Sequence, residues 1–125
     1  MTLRNPLWIL ALLLLAAPFA AACGGDDDSS ATATQAPRTS EVPAGAPAID
    51  QNELAFKPSS LTVNAGTQVY FKNSETAIHT VTIEGKNISG VMKKGDVVVW
   101  TAPSAGTFKV TCDYHPQMRA TITVK

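Results

Sequence analysis

Cys112-Asp113-Tyr114-His115-Pro116-Gln117-Met118 sets a thiol, an imidazole and a thioether at intervals of three residues. That spacing lets one turn aim three donors at one ion. Soft sulfur beside imidazole selects copper over hard cations such as magnesium or calcium, and a trigonal His, His, Cys set with a weak axial Met is suited to moving single electrons. The missing donor is a second histidine. The chain has one other, His79, placed 33 residues before Cys112 at the head of a β-branched run. A neighbouring strand of a sandwich would carry it there, and no histidine is left over.

Each donor taken singly has a plainer reading. Cys112 could be a small buried hydrophobe, His115 a solvated loop residue, Met118 core filler and His79 a polar residue at a strand edge. Together, at this spacing, they read as a metal set. Zinc also takes Cys and His tetrahedrally, but a thioether is a poor zinc donor and structural zinc sites more often pair cysteines. A disulfide between Cys23 and Cys112 would need the intervening chain to fold back and would destroy the set. Met92, before a Lys-Lys-Gly turn, lies outside the ligand loop and reads as packing.

These donors need a rigid frame. After Ile49 the chain runs in short alternating apolar and polar stretches: Leu61–Val63, Val69–Phe71, His79–Ile83, Val97–Trp100, Phe108–Val110 and Ala120–Val124. Turn formers at 64–66, 93–96 and 104–106 separate them. No stretch there sustains a helical period. The pattern predicts an all-β fold, a two-layer antiparallel Greek-key sandwich over residues 48–125.

The first 47 residues have a different texture. Arg4, an apolar run from Leu7 to Ala17, Pro18 and the small residues Ala20-Ala21-Ala22 read as a secretory signal peptide over 1–22, too short and too broken for a membrane span. The small residues before Cys23 resemble a bacterial lipobox, with Ala20 where leucine is usual. Lipidation of Cys23 would leave an extracytoplasmic protein anchored to a bacterial membrane, facing the periplasm or the outer cell surface; cleavage without lipidation would release it. Residues 23–47 are rich in Ala, Thr, Ser, Gly, Pro and Asp, with Val42 the one aliphatic side chain larger than Ala, and read as the lipidated cysteine and a flexible linker.

The folded region resembles the cupredoxins, of the plastocyanin and amicyanin type. The short Cys-x-x-His-x-x-Met loop is most similar to amicyanin. Phe56-x-Pro58-x-x-Leu61-x-Val63-x-Ala65-Gly66-x-x-Val69-x-Phe71-x-Asn73 resembles the first half of the family, and Pro103-x-Ala105-Gly106-Thr107-Phe108 the approach to the cysteine strand. The resemblance implies one copper ion cycling between Cu(I) and Cu(II), held by His79, Cys112, His115 and Met118, with the carbonyl of Ile78 on the opposite side. It implies electron exchange through the edge of His115, under an apolar surface shared with Pro116 and Met118. Thr80 stands where the family often has an asparagine that braces the ligand loop.

Charge and composition narrow the function further. The chain is formally neutral, and from Cys23 onward nine Lys/Arg face ten Asp/Glu, so no nucleic-acid partner is implied. A multicopper oxidase or nitrite reductase needs histidines for a second centre, and a binuclear copper domain needs two cysteines in the loop; this chain has neither. The expected function is therefore not enzymatic. It is one-electron transfer to transient redox protein partners at the membrane surface, with a copper carrier or buffer as the alternative.

Overall fold

The computed structural model describes residues 34–125. Among the described residues ten strands run in the order β1 (Arg38–Thr39), β2 (Ala48–Asn52), β3 (Ala55–Lys57), β4 (Ser60–Val63), β5 (Gln68–Asn73), β6 (Thr82–Ile83), β7 (Lys86–Asn87), β8 (Val97–Thr101), β9 (Gly106–Thr111) and β10 (Arg119–Val124). They form two sheets, ordered β1-β8-β5-β2-β3 and β4-β10-β9-β6-β7. This is the expected two-layer sandwich, with one addition. β2 runs parallel to β5, and β4 parallel to β10. Both parallel pairs arise because the chain changes sheet between β3 and β4 and changes back before β5.

Period-two alternation supplies the core. In β5, Val69, Phe71 and Asn73 turn inward while Gln68 and Lys72 face solvent; in β10, Ala120, Ile122 and Val124 turn inward. Val69, Phe71, Ala120, Ile122 and Val124, with Ile49, Val81, Val98 and Val110, make one apolar layer between the sheets. The β2–β3 turn places two non-glycine residues at positive φ, Glu53 at 55° and Leu54 at 54°. That mirror-image turn matches the twist of a two-residue hairpin, at a cost of about 1–2 kcal/mol per L-residue.

The expectation of a flexible linker as far as Pro47 fails for residues 34–47. Arg38 and Thr39 pair with Val98 and Val97 on the edge of β8. The Ala36 N–H donates to the Ile88 carbonyl at 2.6 Å, and the Val99 N–H to the Pro37 carbonyl at 2.9 Å. Arg38 donates to Asp96 Oδ2 at 3.1 Å and to the carbonyls of Ser89 and Val91 at 2.7 and 3.1 Å. Composition missed this because the ordering comes from backbone pairing to an open sheet edge and from one guanidinium, not from aliphatic burial. The signal peptide expected over 1–22 and Cys23 lie outside the described residues. Among the described residues no helix is long and apolar enough to cross a membrane.

Candidate metal centre

β9 and β10 pair antiparallel with Thr111 opposite Arg119, so residues 112–118 close one end of a hairpin. Within that loop the Met118 N–H donates to the His115 carbonyl at 2.9 Å, and Arg119 Nε to the Pro116 carbonyl at 3.2 Å. Cys112 and Met118 are buried; His115 is half-buried. The fourth residue comes from the segment leading into β6, the neighbour of β9 in the same sheet. His79 was expected to begin a continuous strand, yet regular pairing starts only at Thr82; His79 instead forms an isolated bridge with Met92. Its N–H and carbonyl pair with those of Met92 at 3.0 and 2.8 Å, and it has no solvent exposure.

Asn73 shapes the approach to His79. Its fully buried side-chain amide donates to the carbonyls of Ala77 and Met92 at 2.8 and 3.0 Å, and its Oδ1 accepts the Glu75 N–H at 2.9 Å. Just beyond His79, side chains replace strand neighbours. Gln51 Nε2 donates to the Thr80 carbonyl at 3.2 Å, and the Val81 N–H donates to Ser89 Oγ at 2.7 Å.

Both imidazoles present Nδ1 to Cys112. The His79 and His115 Nδ1 atoms are 3.2 Å apart and lie 3.8 and 3.7 Å from Cys112 Sγ. The circumradius of that triangle is about 2.1 Å, against about 2.0–2.1 Å for an imidazole nitrogen and about 2.3 Å for a thiolate on a first-row ion. The three donors are therefore spaced to hold a single ion. Met118, 1% exposed and three residues after His115, supplies a thioether to the same loop. Two imidazoles, a thiolate and a thioether together form a donor set for copper.

Hydrogen bonds orient the donors. Glu75 Oε1 lies 2.7 Å from His79 Nε2 and also accepts the Leu54 N–H at 2.9 Å. With Nε2 protonated and donating, the Nδ1 lone pair is free for a metal. Burial opposes ionisation of Glu75, but the hydrogen bonds from Leu54 N–H and His79 outweigh it and hold the carboxyl below its ordinary value. The Thr80 N–H points to Cys112 Sγ at 3.5 Å, an arrangement that offsets thiolate charge. Thr80 also supplies a brace: its Oγ1 accepts the Asp113 N–H at 2.8 Å, joining the two donor-bearing segments. The Asp113 carboxylate in turn accepts from Thr82 Oγ1 at 2.6 Å and Asn87 Nδ2 at 2.7 Å.

The family described as "Cupredoxin-like domain" matches residues 9–124. The chain belongs to the cupredoxin family. Amicyanin from Paracoccus versutus is 29% identical over 93 residues, covering 69% of this chain and 70% of its own. Plastocyanin from Ulva prolifera is 32% identical over 90 residues, covering 61% of this chain and 92% of its own. Among solved structures, an amicyanin variant in its Cu(I) form aligns with a TM-score of 0.63 at 28% identity, over 68% of this chain and 87% of that one. A reduced amicyanin variant aligns at 0.65 and 26% identity, over 73% and 94%.

The surface of this cupredoxin departs from the expectation in one respect. Met118 was assigned to the apolar surface beside His115 and Pro116, but it is buried in the core, held there by the closure of its loop. Among the described residues the large exposed apolar side chains are instead Leu54, Ile78, Val91 and Tyr114, each 41–48% exposed. All four lie at the donor end. Ile78 and Tyr114 directly precede the two histidines, Val91 precedes Met92, and Leu54 donates to Glu75. Glu75 and Asp113 were not singled out in the sequence, and Thr80 was marked only by its place at the family's bracing position. The one available signal was position: Glu75 four residues before His79, and Thr80 and Asp113 each directly after a donor.

Proposed function

We propose that this cupredoxin carries single electrons through one copper ion held by His79, Cys112, His115 and Met118. The observation that carries the reading is the triangle of Nδ1, Nδ1 and Sγ atoms at 3.2–3.8 Å. Bound copper supplies the one-electron couple. The residues supply the rest: Glu75 orients His79, Thr80 and Asp113 hold the cysteine segment against the neighbouring His79 segment of the same sheet, and the apolar core excludes water behind the donors. A frame this tightly cross-linked resists change of geometry between oxidation states, which favours rapid transfer. Half-buried His115 is the route to the surface, with Pro116 exposed beside it.

A copper carrier or buffer needs an open, exchangeable site. His79, Cys112 and Met118 are 0%, 3% and 1% exposed, which supports the electron carrier instead. The same reading places the protein outside the cytoplasm, with residues 1–22 as the export signal and Cys23 as a lipid anchor, meeting transient redox proteins at a membrane surface. The test is the visible and EPR spectrum of the full chain loaded with Cu(II) and titrated with ascorbate. An intense thiolate-to-copper band that bleaches and returns reversibly is the expected result. A colourless protein that holds copper weakly would overturn the proposal and leave the fold intact.

A further inference from the structure

The geometry points to a redox partner with an acidic docking rim, seated over Ile78 and Val91 with its carboxylates against Lys72, Lys93 and Lys94. The inference rests on the electron-carrier reading and adds the kind of partner and its orientation. Scattered exposed apolar side chains are ordinary, but a group collected at one end of a small sandwich marks a contact surface.

The lysines lie beside that surface. Lys93 follows Met92, whose backbone pairs with His79, and Val91 stands on the other side of Met92. Lys94 and Lys72 line one groove with Asn73, Ser74 and Gly95. Asn73 connects that groove to the His79 approach through its bonds to Ala77 and Met92. All three lysines are exposed, and none takes part in a salt bridge among the described residues. Asp96, the acid of the same turn, is taken up by Arg38 and by the Lys93 N–H. Asp50 lies opposite Lys72 in the β2–β5 register, bonded to Ser74, and offsets one of the three charges.

The opposite flank differs. There Asp113 is exposed beside Tyr114, and Arg119 is turned onto the Pro116 carbonyl. A partner meeting this end finds positive charge on the Lys93 side and negative charge on the Asp113 side. Complementarity then fixes its orientation as well as its encounter rate.

Two measurements on the full chain test the inference, one independent of copper. In the first, hexacyanochromate(III), a redox-inert paramagnetic trianion, is titrated into the ¹⁵N-labelled metal-free protein. Amide broadening is expected at Lys72, Val91, Lys93 and Lys94, and is expected to disappear in K93E/K94E. Broadening centred elsewhere, or none, would overturn the proposal. In the second, the reduced copper protein is mixed with hexacyanoferrate(III), which accepts one electron from Cu(I) to give Cu(II) and hexacyanoferrate(II). The rate is expected to fall at least about threefold as the Debye length shrinks from about 30 Å at 0.01 M salt to about 8 Å at 0.15 M, and K93E/K94E should reverse that salt dependence. A rate indifferent to salt and to K93E/K94E would refute the acidic-partner inference even if the copper chemistry stands. Absent copper colour with intact broadening would refute only the electron-carrier reading.

Discussion

Replacing Glu75 by Gln removes one negative charge beside His79 while keeping an oxygen that can accept the Nε2–H. The Oε1 to Nε2 distance is 2.7 Å. The imidazole ring and the radius of the donor triangle separate that carboxylate from the triangle's centre by about 6.5 Å. At an effective dielectric of about 20, that charge is worth about 2.5 kcal/mol, or about 110 mV for one electron. Because the charge stabilises Cu(II) over Cu(I), its removal raises the potential. Glu75→Ala removes the acceptor as well, and loss of a partner that orients a metal-bound histidine typically costs about 10–100-fold in metal affinity. Spectroelectrochemical titration of Glu75→Gln and competitive copper titration of Glu75→Ala measure the two effects separately. A potential unchanged in Glu75→Gln, together with wild-type affinity in Glu75→Ala, would refute the assignment of Glu75 as the residue that orients His79.

Met118→Gln should keep copper and lower the potential, since a stronger axial donor favours Cu(II); an unchanged potential in a redox titration would remove Met118 from the site. Cys112→Ser should abolish the thiolate-to-copper visible band, and the absorption spectrum decides it. Asp113→Ala leaves Thr82, 6% exposed, without its acceptor, and should destabilise the metal-free protein by about 1–3 kcal/mol in urea unfolding. A chain beginning at Ala48 lacks β1 and the Arg38 contacts, and its urea midpoint should lie below that of a chain beginning at Ala31. Equal midpoints would show that the segment adds nothing to the fold.

The parts of the fold legible in the sequence are those whose alternation is uninterrupted. β4, β5, β9 and β10 carry Val, Ile, Leu, Phe or Ala at every second position, and burial follows that period, while β8 is legible as a short continuous apolar run, Val97–Trp100. β2 escaped because Gln51, fully buried, occupies an inward position where the pattern calls for an apolar residue. Its buried place makes sense only once the Thr80 carbonyl is known to need a donor. β1 and β7 are two residues each, too short to show any period. The donors themselves were legible because their chemistry is rare and three of them share seven residues of sequence. Of their supports only Thr80 was marked, by its place in the family pattern, since a glutamate and an aspartate acquire roles only from what tertiary folding brings within about 3 Å.

The direction of β1 has a practical consequence. Thr34 lies beside Thr101 and Pro103, and the chain then runs along β8 toward Val97, the end joined to Asn73 and the donors. Thr34 therefore lies toward the pole remote from the donors. On a gold electrode, a molecule wired through a thiol placed just before Thr34 would face its centre to the solution and exchange current with the metal slowly. One wired through position 94 would turn that centre to the electrode, and the ratio of the two heterogeneous rates would measure how far the sandwich insulates along its length.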